Sequence, residues 1–287
     1  MNAARHDDRI CKLGEGPLWH PARKQLFWFD ILGCRLLSQQ GGAPVEWQFE
    51  ENVSAAGWLD HDTLLIASET ALFRFDLTQG TREVVFPLEA DLPATRSNDG
   101  RADPWGGFWI GTMGKHAEPG AGSIYRFYGG ELRRIAGEIS VSNAICFAPD
   151  SSAAYYTDTH SRQVMRVPLE PQTGWPAGSA QVLIDLTADG LNPDGAVTDA
   201  DGNIWIAQWG AARVAQYSPQ GTFLSALAVP ALQASCPAFG GAGLRDLYVT
   251  SASVGLDAAE KTARPHNGKT FVIANAGQGL PEPKVIL

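Results

Sequence analysis

Short apolar stretches recur along the chain, each closing in small or polar residues: QLFWFDI, DTLLIAS, GFWIGTM, AAYYTDT, NIWIAQW and DLYVTSA. Their length and their content of Trp, Phe, Tyr, Ile and Val suit strands rather than helices. Alternating apolar and polar segments follow after turns, as in SIYRFYGGELRRI and RVAQYSPQGTFLSALAV, where YGG and SPQG mark hairpins. The apolar stretches centre on Trp28, Leu65, Trp109, Tyr156, Trp205 and Tyr248, at separations of 37, 44, 47, 49 and 43 residues. Spacing in that range, with several short strands per repeat, is that of propeller blades. Six repeats predict an all-β fold, one six-bladed β-propeller domain over residues 1–287. A β-sandwich would show shorter and less even spacing. The 31 glycines and 18 prolines are spread throughout, which leaves little room for long amphipathic helices. The sequence does not show how the ring closes, although a terminal strand such as TFVIAN can pair with chain from the N-terminus.

The repeat gives meaning to LGEGPLWHP, where Glu15 sits between two glycines ahead of the first apolar stretch. Residues at matching offsets from the anchors occupy equivalent places around a propeller axis. Glu15 and Asn143 lie 13 residues before Trp28 and Tyr156, and Asn98 and Asp194 lie 11 before Trp109 and Trp205. Ser54 and Cys236 hold the corresponding places, 11 and 12 residues ahead of Leu65 and Tyr248. Inner strands start at one mouth of the channel, so Glu15, Asn98, Asn143 and Asp194 converge there from four blades. Carboxylate and amide oxygens without thiolate or imidazole suit a hard cation, calcium first and then magnesium or manganese. The predicted architecture therefore has a metal site at one mouth of the central channel. Few protein ligands leave coordination positions for water and substrate, as a catalytic site requires. SNDG and NPDG also read as ordinary turns, and only their shared register favours the site. Arg96, two residues before Asn98, faces the same side of a strand and can hold a substrate hydroxyl or carboxylate. Asp158 and His160 either face the mouth or cap the end of a strand.

Net charge narrows the partners. At -9 and an isoelectric point near 5.1, the chain would be repelled by nucleic acid and by anionic membranes, so a small molecule is the expected ligand. No run of 18 apolar residues is present, and the acidic start lacks the apolar core of a secretory signal; the expected compartment is the cytoplasm. The four cysteines are far apart and form no C-x-x-C, so free thiols are expected. No G-x-S-x-G elbow, H-E-x-x-H or phosphate-cradling loop occurs. A monomer or a weak homo-oligomer is expected.

The motifs GEGPLW, RSNDGRADPWGGFWIGTM, SNAICFAPDSSAAYYTDT and PDGAVTDADGNIWIA resemble the gluconolactonase and regucalcin family of six-bladed propellers, from about Leu13 to Ser251. The resemblance implies one divalent cation on Glu15, Asn143 and Asp194, with calcium, zinc, manganese, magnesium or iron as the metal. It implies that Arg96 and Asn98 contact the substrate and that the reaction is hydrolysis of a sugar-acid lactone. The metal would polarise the carbonyl for attack by water, with Asp194 as general base or metal-activated water in its place. Where regucalcin-like members carry an acid after GTM, this chain reads GTMGKH. Lys115 and His116 are therefore expected to bind substrate and to favour a lactone bearing a sulfonate, phosphate or carboxylate. Two other readings stand beside this one: a phosphotriesterase-like hydrolase, and a non-catalytic calcium-binding or scaffold propeller.

Overall fold

The computed structural model describes residues 2–287. Each repeat folds as a four-stranded antiparallel sheet, and the six sheets form a ring. The inner strands of blades one to six are Gly14–His20, Val53–Trp58, Thr95–Ala102, Ser142–Phe147, Asn192–Thr198 and Gln233–Gly240. Each touches the inner strands of both neighbouring blades, the sixth returning to the first. The anchors lie one strand further out, on Gln25–Asp30, Thr63–Ser68, Phe108–Gly114, Ala153–Asp158, Ile204–Trp209 and Asp246–Ala252. In blade six the outermost strand is Ala4–Asp7, antiparallel to Thr270–Ile273. TFVIAN thus pairs with amino-terminal chain, and the ring closes with the amino-terminal strand completing the last sheet.

The core divides by blade junction. Six hydrophobic clusters are present, one at each junction, because both faces of every sheet are covered by neighbouring sheets. Phe27, Phe29, Phe73 and Phe75 fill the junction of blades one and two, and Trp28 packs with Tyr248 where blade one meets blade six. Trp28, Trp109 and Trp205 are buried, the packing role their positions imply. Truncating a buried tryptophan of this kind to alanine costs about 3–5 kcal/mol. All four cysteines are free. The one α-helix among the described residues, Ala258–Ala263, starts at an Asp257/Glu260 capping box. No helix is long and apolar enough to cross a membrane.

After blade six the chain leaves the ring and crosses the face opposite the candidate site. Gly279 donates to the Leu244 carbonyl and Ala200 donates to the Gln278 carbonyl, in blades six and five. Further along, Val285 and Ile286 donate to Trp58 and Gly106, in blades two and three. Glu282 meets Arg101 in a buried ion pair, and its carbonyl accepts from the Trp58 indole at 2.9 Å. This carboxy-terminal strap covers the far mouth of the channel, leaving a cavity of ≈280 Å³ between Pro281–Pro283 and Cys146.

Candidate functional site

Every inner strand interrupts its pairing at the same level. The irregularities fall between Glu15 and Leu18, Val53 and Ala55, Ser97 and Gly100, Asn143 and Cys146, Pro193 and Ala196, and Ala234 and Pro237. A bulge leaves residues unpaired and re-aims their side chains. Here it brings Glu15, Asn98, Asn143 and Asp194, with Arg96, to one cavity of ≈510 Å³. Ser54 and Cys236, at the same level in blades two and six, do not line it. Ser54 donates instead to Ser97 at 2.8 Å, and Cys236 packs so closely under Gly195 that a Cβ there would collide with its sulfur.

Blades one and four share a further device. The residue after Glu15 and the residue after Asn143 both have left-handed backbone, with φ of 52° at Gly16 and 57° at Ala144. The glycines flanking Glu15 are required by contact as well: a Cβ on Gly14 would meet the Ser251 carbonyl, and one on Gly16 the Ser54 carbonyl. In both blades an aspartate at the end of the second strand pins the chain two residues ahead of the candidate ligand. Asp30 accepts from Leu13 N at 3.0 Å, and Asp158 accepts from Val141 N at 3.0 Å. Asp158 also accepts from Ser140 and His160, so it caps the turn rather than entering the site; His160 stands exposed on the cavity rim.

Hydrogen bonds fix which way the amides point. Thr159 Oγ1 donates to the Pro193 carbonyl at 2.8 Å and so can only accept from Asn143, whose Nδ2 lies 2.9 Å away. Asn143 Oδ1 is thereby left facing the site, where Asn98 Nδ2 donates to it at 3.2 Å. Asn98 Nδ2 also donates to the Ser142 carbonyl, and Arg96 Nη1 donates to Asn98 Oδ1 at 2.8 Å.

The charges are buried with little compensation. Burial, helped by the charge of Asp99, pushes Glu15 up to about 8 against the opposing Gly16 amide and Arg96. Asp194 is pushed well above the usual carboxylate range by burial first and then by Glu15 and Asp99. Burial holds Arg96 down to about 10 against the pull of Glu15, Glu69 and Asp194. Asp99 is raised to about 6 by burial, although its carboxylate accepts from Ile145 N of the neighbouring blade at 2.7 Å.

The sequence did not single out Thr159, Asp99 or Glu69. Glu69 matters for Lys115, which lines the cavity with its ammonium 2.5 Å from the Glu69 carboxylate. That charge is already met. His116 corrects the expectation of a substrate contact: it is exposed, does not line the cavity, and its N–H donates to Glu118 at 3.0 Å. The strand Phe108–Gly114 has ended by this point: Ala117 N donates to the Gly114 carbonyl at 2.9 Å, and the resulting turn places Lys115 and Ala117 on the cavity while His116 stays outside it.

Fold and site together define a six-bladed propeller with a buried acid-and-amide site at one mouth of its channel. The chain belongs to the SMP-30/gluconolactonase/LRE-like family, whose pattern matches residues 13–253. It is 43% identical over 278 residues to a Rhizobium meliloti protein provisionally named a sugar lactone lactonase, covering 96% of this chain and 94% of that one. It is 36% identical to the L-arabinolactonase of Azospirillum brasilense, over 93% of this chain and 90% of the relative. The crystal structure of a calcium-binding protein, regucalcin, from Agrobacterium tumefaciens matches with a TM-score of 0.97 at 41% identity, over 99% of this chain and 97% of that one.

Proposed function

We propose that the protein is a lactonase that opens the internal ester of a sugar-acid lactone to the free aldonic acid, with Glu15, Asn143 and Asp194 holding one divalent cation, calcium first. One observation carries the reading. Two fully buried carboxylates, Glu15 and Asp194, face each other's charge beside the outward-turned Asn143 oxygen, and neither has an ion-pair partner within 4 Å among the described residues. Two uncompensated carboxylates and one carbonyl oxygen fit a hard divalent ion; no thiolate is in the set, and the imidazole of His160 stands apart, exposed on the rim. When bound, such an ion supplies a positive centre for the ester carbonyl and for the negative charge that grows on it.

The chain's own groups supply the rest. Asp194 accepts a proton from the water that adds to the carbonyl carbon; the acyl bond to the ring oxygen breaks, and the proton returns to that oxygen as it leaves as a hydroxyl. Arg96 uses Nη1 on Asn98 and the Ser97 carbonyl, which locks the guanidinium, and its buried Nε has no protein acceptor and is left for a substrate hydroxyl. A locked donor beside the reacting ester makes attack effectively intramolecular. With Lys115 paired to Glu69, the ground for expecting an anion-bearing lactone is removed, and a neutral lactone is the reading adopted.

The product ionises at neutral pH, so the test is proton release in weak buffer. Metal-stripped protein is challenged with neutral and anionic aldonolactones while each divalent cation is restored in turn. Acid release above the spontaneous rate that appears only with added cation is the expected result. Turnover of a phosphotriester with no lactone turnover, or tight cation binding with no hydrolysis at all, would overturn the reading.

A further inference from the structure

The walls of the cavity differ by blade. Polar side chains come from blades three, four and five: Arg96, Asn98 and Lys115, then Asn143, Thr159 and His160, then Asn192 and Asp194. Apart from Glu15, blades six and one contribute hydrocarbon only, in Leu13, Leu32 and Val254. Leu13 and Leu32 pack in one cluster and form a continuous aliphatic wall, bordered in blade five by the ring of Trp209. Val254 is 37% exposed and extends that wall to the rim.

The chemistry of a lactone orients it between the two walls. The carbonyl carbon has C2 with its hydroxyl on one side and the ring oxygen, leading to the exocyclic carbon, on the other. With the carbonyl at Glu15, Asn143 and Asp194 and the C2 and C3 hydroxyls on Arg96 and Asn98, the ring-oxygen side turns away from blade three. It then faces the blade-one and blade-six side of the wall, Leu13, Leu32 and Val254, whose aliphatic side chains offer no hydrogen bond to a hydroxyl or anion there. Resting on the lactonase reading, we infer that the favoured substrate is a neutral lactone whose exocyclic carbon is a bare methyl, a 6-deoxyaldonolactone, with that methyl seated on the apolar wall. A hydroxymethyl group in the same place surrenders hydration without gaining a partner, and a charged one surrenders more.

The test is a series of 1,5-lactones of one ring stereochemistry, differing only in the group on C5: methyl, hydroxymethyl and phosphorylated hydroxymethyl, assayed on the cation-loaded enzyme. We expect kcat/KM to fall by about tenfold from methyl to hydroxymethyl, the size of discrimination a hydrophobic pocket achieves, and further for the phosphorylated lactone. In Leu32→Ser and Val254→Ser the methyl-to-hydroxymethyl ratio should collapse toward one; Val254 is exposed enough that its replacement is compatible with folding. Hydrolysis without preference for methyl, or a ratio unmoved in both variants, overturns the inference while leaving the lactonase reading in place. No hydrolysis of any member overturns the lactonase reading itself.

Discussion

Asn143 Nδ2 and Thr159 Oγ1 lie 2.9 Å apart, and the threonine hydroxyl is in turn committed to the Pro193 carbonyl of the next blade. The pair acts as a one-way chain that presents the Asn143 oxygen, rather than its nitrogen, to the site. Thr159→Val keeps the shape and removes the acceptor, so the amide is free to turn over. Calcium affinity, measured by isothermal titration, should fall about 10- to 100-fold, as for loss of other groups that orient metal ligands. An unchanged affinity would mean that the amide is oriented by Asn98 alone.

The buried carboxylates should make the metal-free protein less stable as pH rises. In the unfolded chain Glu15 ionises near its ordinary 4.5, and in the metal-free fold near 8. Between those values the folded state holds a proton that the unfolded state has released, so unfolding becomes easier as pH increases. Asp194 acts in the same direction. The melting temperature in chelator should therefore drop between about pH 5 and pH 8, and calcium should restore it most at the alkaline end. A chelated protein whose melting temperature rises across that interval would contradict the burial of these charges.

Asp99 raises both Glu15 and Asp194 and holds the Ile145 amide beside the left-handed Ala144. Asp99→Asn retains an acceptor for that amide and removes the charge. Both carboxylates should then ionise at lower pH, moving the loss of metal-free stability in the same direction, while calcium binding at pH 8 weakens because one negative charge near the ion is gone. Asp99→Ala instead strands a buried amide, at about 1–3 kcal/mol by chemical denaturation.

Asp194→Asn separates catalysis from folding. The amide can still offer an oxygen, yet it cannot take a proton, so kcat should fall by about 10²–10⁴-fold. The metal-free variant should also melt higher than the parent at pH 8, since a buried, repelled charge has been removed. Retention of full kcat would exclude Asp194 as the base.

The propeller was legible because blades repeat: six apolar strands at even spacing leave few other folds, and offsets from their anchors place Glu15, Asn98, Asn143 and Asp194 at one level. TFVIAN was legible as a strand able to pair with amino-terminal chain, while the way the ring closes came only from the pairing of Ala4–Asp7 with Thr270–Ile273. What escaped the sequence depends on contacts between blades. Thr159 sits between Asp158 and His160, both more conspicuous chemically, and its role exists only through the Pro193 carbonyl 34 residues away. Asp99 reads as the third residue of a turn in SNDG, and only the bulge turns it inward. His116, chosen for its chemistry beside Lys115, stands exposed in the turn that follows the Phe108–Gly114 strand, where sequence pattern does not fix the direction of a side chain.

The strap across the far face gives the enzyme a single doorway. With Glu282 bound to Arg101 and Trp58, a molecule that reaches the carboxylates can leave only by the way it came. The aldonate formed in one turnover must clear the passage before the next lactone enters, so product and substrate contend for the same empty form of the enzyme. Added aldonate should raise KM while leaving the maximal rate untouched.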